Sequence, residues 1–224
     1  MKGGEFLIAD QTTAEVFTPE DFTDEHRMIG DTCREYIDNE VVPNLPEELE
    51  LRSRPLREQW EARGPGMLRS IGCRTEEELI VEECEVSAVY PALGGGGGAH
   101  LAYNSVRIEA VLANPVAELP EVVRLGWLIA QLQLDLPGYG EEIHPERLPH
   151  IAAYAMLPAV LAAAEEVELV RNSSQLVGPA IAAWKLPSPP DIDAASLVEQ
   201  WWQTYQEARP PWRVALAALD QLFG

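Results

Sequence analysis

Apolar residues recur at helical spacing along much of the chain, and the run Gly94 to Gly98 separates a clear half from an interrupted one. Downstream, the pattern predicts six helices. Asn104 stands at the N-cap of a segment reaching about Ala113, closed by Asn114-Pro115. Pro120 opens a second to about Leu134, whose polar residues Glu121, Arg124, Gln131 and Asp135 form one narrow stripe, so most of its circumference should be buried. A third runs from Glu146 through Ala164, with Pro158 expected to kink or divide it. Ser174 to Trp184 is a fourth, Asp193 caps a fifth through Glu207, and Pro211 opens a sixth to Gly224. In the last, Trp212, Ala215, Leu216, Leu219, Leu222 and Phe223 share one face.

Upstream, Thr18-Pro19-Glu20-Asp21 has the composition of a helix start, and Phe17 and Phe22 occupy hydrophobic-staple positions. A helix over about Asp24 to Val42 should follow, with Ile29, Cys33, Tyr36, Ile37 and Val41 on one side and Pro43 at its end. Residues 43–66, broken by Pro43, Pro46, Pro55, Gly64, Pro65 and Gly66, read as a joint with room for a short helix from Leu56 to Ala62. Thr75-Glu76-Glu77-Glu78 matches a capping box, and Cys84 to Tyr90, rich in β-formers, predicts one short strand. The expected fold is mainly α: an irregular helical bundle or array behind a loosely structured N-terminal region. The expected division is an N-terminal helical segment (1–45), an irregular linker containing the glycines (46–98) and a helical domain (99–224), whose short connections favour antiparallel packing.

The segment Lys2-Gly3-Gly4-Glu5-Phe6-Leu7, followed by Phe17-Thr-Pro-Glu-Asp-Phe-Thr-Asp-Glu-His-Arg-Met-Ile29, resembles the N-terminus of acyl-CoA dehydrogenases. The resemblance covers about a fifth of the chain, Met1 to Leu45, and implies the opening helix of an α-helical domain. In that family the flavin and acyl-CoA contacts come mostly from a central β-domain and a C-terminal helical bundle, which also supplies the catalytic glutamate. This chain shows no counterpart of the family's Thr-Glu-Pro step and no glutamate that matches the catalytic one. No functional residue is carried over.

Charge changes the picture of partners. Asp and Glu number 37 against 16 Lys and Arg, a net charge of -21, while the apolar fraction of 46% is ordinary for a globular protein. Such a chain repels phosphate backbones and anionic membrane surfaces, because nucleic-acid binding draws on Lys and Arg. Cys33, Cys73 and Cys84 have no paired spacing and no secretory leader before them, which points to a reducing, cytoplasmic setting. The longest uncharged run, Leu148 to Ala164, is shorter than the roughly 20 residues of a membrane span and reads as a buried helix.

Candidate chemistry is sparse. A glycine-rich loop leading into a helix can offer N–H groups to an anion, which would make Gly96, Gly97 and Gly98 with His100, Asn104 and Arg107 a ligand loop. There is no P-loop Lys-Ser/Thr and no dinucleotide fingerprint, so a flexible connector is the competing reading. Glu141-x-x-His144 supplies one half of a di-carboxylate metal motif without the rest, and no metal is expected. Cys73 and Cys84 lie among acidic residues that oppose a reactive thiolate, and no serine has a nucleophile-elbow context. Trp201, Trp202, Tyr205 and Trp212, with Arg209 and Arg213, are either an interface or the core of the last two helices. The expectation is a non-catalytic helical interaction or scaffold protein, with a protein partner or a second copy and no cofactor. The alternative is a flavin-linked relative of acyl-CoA dehydrogenases that binds FAD and acyl-CoA.

Overall fold

The structure, a computed structural model, describes residues 23–43, 45–89, 96–109, 116–187 and 192–224. The predicted Thr18 start, the Phe17–Phe22 staple and the first two glycines of the run lie outside them. Contacts divide the chain into two units, Met1–Glu48 and Leu49–Gly224.

In the first unit, α1 (Asp24–Tyr36) begins at Thr23, whose hydroxyl accepts from the His26 N–H while the Thr23 N–H donates to His26 Nδ1 at 3.2 Å. Asp24 and Glu25 stand at the positive end of its dipole and Arg34 in its last turn. The helix continues as a π-turn, Ile37–Val41, and Pro43 follows. The predicted boundaries hold. The predicted apolar side, however, is exposed at Ile29, Cys33, Tyr36 and Ile37.

The second unit starts with most of α2 (Leu45–Arg74), which replaces the expected joint. Pro55 and Pro65 both lie inside it. A proline in a helix interior costs roughly 3 kcal/mol, so its surroundings must offset that. Between the prolines Leu56, Arg57, Glu58, Gln59, Glu61, Ala62 and Arg63 favour helix, and Met67 and Ile71 beyond are fully buried. Gly126 on the later helix α3 lies so close to Met67 that a Cβ there would strike its methyl group unless the Met67 side chain moved, so the glycine lets the two helices approach with Met67 as it stands. The expected capping box at Thr75 does not form. Thr75 instead closes α2, its hydroxyl donating back to the Ile71 carbonyl at 2.8 Å, and Glu77–Leu79 is a single 3-10 turn.

Strands β1 (Glu85–Val89), β2 (Gly97–His100) and β3 (Ser105–Glu109) form a sheet in the order β1-β3-β2, with β1 parallel and β2 antiparallel to β3. The strand predicted near 84–90 is therefore present as β1. The helix predicted from Asn104 is not: β3 occupies its first half. Asn104 sits in the left-handed region at φ 47°, which ends the 3-10 turn Leu101–Tyr103 and starts a strand. Ser105-Val106-Arg107-Ile108 then alternates, burying Val106 and Ile108.

Helices complete the unit: α3 (Glu121–Ile129), the single turn α4 (Pro137–Gly140), α5 (Leu148–Glu166), α6 (Val177–Ala183), α7 (Ala194–Ala208) and α8 (Trp212–Phe223). α5 runs uninterrupted through Pro158 and packs against α3, α6, α7 and α8. It is long and apolar enough to cross a membrane by composition, yet 72% of that stretch is buried within the protein. Ser70 and Arg74 of α2 both donate to Glu166 at its end, at 2.6 and 2.8 Å, and hold that carboxyl below its ordinary pKa. Asp193 caps α7 through the Ser196 N–H, and Pro211 precedes α8, as expected. In the predicted apolar face of α8 only Leu222 is exposed. α3 ends earlier than expected, and Arg124 and Gln131 of its supposed solvent stripe are buried at 2% and 4% exposure.

Candidate functional site

The described part of the glycine run is a locked turn. Gly96 (φ 75°) donates its N–H to Glu109 Oε2 at 3.1 Å and accepts from the Glu109 N–H at 2.9 Å; Gly97 and Gly98 belong to β2. A Cβ on Gly96 would stand 2.8 Å from Arg124 Nη1, and one on Gly97 would strike the Arg107 carbonyl, so both glycines are needed for close approach. Arg124, from the polar stripe of α3, is the cation here. It pairs with Glu121 and donates to the Glu109 carbonyl at 3.3 Å. Burial pushes the Glu121 carboxyl up and the Arg124 guanidinium down, each opposed by the other's charge. Two carboxylates surround one guanidinium, which disfavours an anion in this turn.

Of His100, Asn104 and Arg107, the structure sets only Arg107 opposite a glycine of the run. Arg107 is exposed on β3, paired across the sheet with Gly98 and Ser87. His100 and Asn104 flank the turn Leu101–Tyr103 and face two separate clefts. The four aromatics of the other candidate site do converge, but inside. Trp201, Trp202, Tyr205 and Trp212 have ring centroids about 5–6 Å apart and no more than 8% exposure, and Trp201 Nε1 donates to the Ala215 carbonyl. They serve packing, not an open interface.

The most exposed aromatic among the described residues of the second unit lies elsewhere. Tyr103 is 83% exposed at the tip of the β2–β3 connection. The turn beneath it is anchored at both ends. Asn104 Nδ2 donates to the Glu83 carbonyl at 2.8 Å, the Glu85 N–H donates to the Asn104 carbonyl at 3.2 Å, and Leu101 packs against the core. On one side of Tyr103 is a cleft of about 710 Å³, walled by Leu101, Ala102, Ile143, Pro145, Leu148 and Pro149, with His100, Asp135 and Glu141 at its edge. On the other is a cleft of about 670 Å³ over Val81, Leu132 and Leu136, edged by Glu82, Glu83 and again Asp135. Among the described residues no Lys or Arg lines either cleft, and none of these four carboxylates has a cationic partner. The sequence signal that was missed is Tyr103 itself, a large ring in a turn between two strands and far from any helical stripe.

Other candidate groups do not assemble. The three cysteines are free thiols, two of them exposed, and burial raises the pKa of Cys84, which disfavours its thiolate. Among the described residues no three His, Cys, Asp or Glu side chains come together as a metal set, and Glu141 and His144 are both exposed.

A curated protein of Bacillus subtilis (strain 168), a probable acyl-CoA dehydrogenase, is 54% identical to this chain over 44 residues. The N-terminal resemblance is thus confined to a segment: it spans 20% of this chain and 7% of that protein. No family model matches the chain, and no solved structure matches it.

Proposed function

We propose that this is a non-catalytic helical interaction protein that engages a protein partner, or a second copy of itself, in the cytoplasm. The observation that carries the reading is the pair of apolar-walled, acid-rimmed clefts on either side of Tyr103. An exposed tyrosine above concave apolar surface has the composition of an interface anchor. The anchored turn beneath it lowers the entropic cost of binding. Peptide-display selection on the full chain tests this. Enriched peptides should lose binding to Tyr103→Ala while the variant keeps its melting temperature. Enrichment indifferent to Tyr103 rejects the reading.

A second reading, a flavin-linked protein related to acyl-CoA dehydrogenases, is favoured by the 44-residue match alone. It predicts yellow protein or a rise in melting temperature with FAD or an acyl-CoA, because a ligand that binds only the native state stabilises it. The interaction reading expects colourless protein and no shift with either.

A further inference from the structure

We infer that the occupant of the Tyr103 clefts is a Lys- and Arg-rich segment of a partner protein, an inference that rests on the interaction reading above. The chemistry of the rim selects the charge. Among the described residues Glu82, Glu83, Asp135 and Glu141 edge the two clefts without a cation to pair with, so no described partner must be displaced before an incoming one binds. The nearby Arg147 is already engaged, by Asp220 at 2.9 Å and the Gly224 carbonyl at 2.7 Å. The apolar walls suit the aliphatic stems of Lys and Arg, whose charged heads then reach the rim carboxylates. Tyr103, between the clefts, offers a ring face to a guanidinium, a contact that strengthens as water is excluded. At long range the net charge of -21 steers cationic segments toward the protein and turns acidic ones away. An aliphatic or acidic peptide would leave four carboxylates facing apolar or like-charged groups, which costs specificity and affinity alike.

The test is a fluorescence-anisotropy titration of the full chain with a labelled peptide of alternating Arg and Leu, and with the same peptide carrying Ser or Glu in place of Arg. The Arg peptide should bind, more weakly as salt rises, and the Glu peptide should not. Asp135→Asn/Glu141→Gln, and separately Tyr103→Ala, should each weaken binding by about tenfold, as expected for two exposed ion pairs or one cation–π contact. Glu58→Gln/Glu61→Gln on α2 removes the same charge from an exposed surface away from the clefts and should change binding by less than about twofold, since remote charges are screened. Equal losses in the two paired variants would mean diffuse charge attraction and overturn the inference. Tyr103-dependent binding of the Ser or Glu peptide, with none of the Arg peptide, would overturn the cationic partner but leave the docking surface standing. Loss of Tyr103 dependence with every peptide would overturn both. Melting temperatures of all variants, expected to match the wild type because the altered side chains are exposed, confirm that each comparison is between folded proteins.

Discussion

Arg124 shows what a single residue can hide in a sequence. Its neighbours Val122, Val123, Leu125 and Trp127 announce a buried helix, and an arginine among them reads as the solvent side. In the structure it is 2% exposed because Glu121, one turn before it, pairs with its charge and the Glu109 carbonyl on β3 accepts from Nη2. Among the described residues Nε and Nη1 of the same guanidinium have no hydrogen-bond partner. A buried pair of this kind tolerates joint replacement better than the loss of one member. Arg124→Met should therefore cost about 3 kcal/mol, and adding Glu121→Leu should recover most of it. Urea titrations of the two single variants and the double variant give the coupling directly. Additive losses would show that the two side chains do not depend on each other. Gly96 belongs to the same lock. Its glycine identity is plain in the sequence, but its reason, the guanidinium 2.8 Å from where a Cβ would sit, is not.

At the scale of elements, helix ends written in adjacent residues were legible and those supplied from a distance were not. Asp193 and Pro211 mark the starts of α7 and α8 in the sequence, and the structure uses both. The acceptor for the first N–H of α8 comes from across the fold: Glu76 Oε1 accepts from the Trp212 N–H at 2.8 Å. In the sequence this glutamate is only an interior position of the Thr75–Glu78 capping-box pattern. Glu76→Ala should destabilise the protein by about 1 kcal/mol, the loss of a cap and of a negative charge at a helix N-terminus. Glu76→Gln, which keeps an acceptor, should cost less. A thermal melt of each variant checks the order, and equal costs would exclude the hydrogen-bond acceptor and leave the charge alone. β3 was misread for a different reason. A polar residue followed by mixed apolar positions fits a short helix or a strand, and the alternation Ser105-Val106-Arg107-Ile108 becomes decisive only with β1 and β2 alongside. α2 is the converse case. Local rules end helices at Pro55 and Pro65, and burial of Met67 and Ile71 outweighs them.

Within the second unit, α5 and α8 are joined around His150. Its ring lies 5.1 Å from Tyr154 and 5.8 Å from Phe223, while Arg147 bridges to Asp220 and Gly224. Burial, and then the Arg147 charge, holds His150 below its ordinary value near 6.5. The folded protein thus favours the neutral ring, and the unfolded chain takes up the proton more readily. The contribution is complete above the unfolded pKa, is lost as pH falls from about 6.5 toward the folded value, and levels off below that. His150→Phe should flatten this part of the stability–pH curve measured by urea titration. An unchanged slope would place the acid sensitivity on the carboxylates alone.

The helical class, the caps at Asp193 and Pro211, the strand at Glu85–Val89, the buried character of α5 and the short dehydrogenase-like segment were all determined by the sequence, because each depends on residues within a few turns of one another. The sheet order, the burial of Arg124, the enclosure of Trp201 and Trp202 and the clefts beside Tyr103 were decided only by the tertiary structure. Each joins residues far apart in the chain, as the Trp212–Glu76 bond does across 136 positions. Periodicity reports which face of an element is apolar. It does not report which distant element covers that face, and at Tyr103 no described element does.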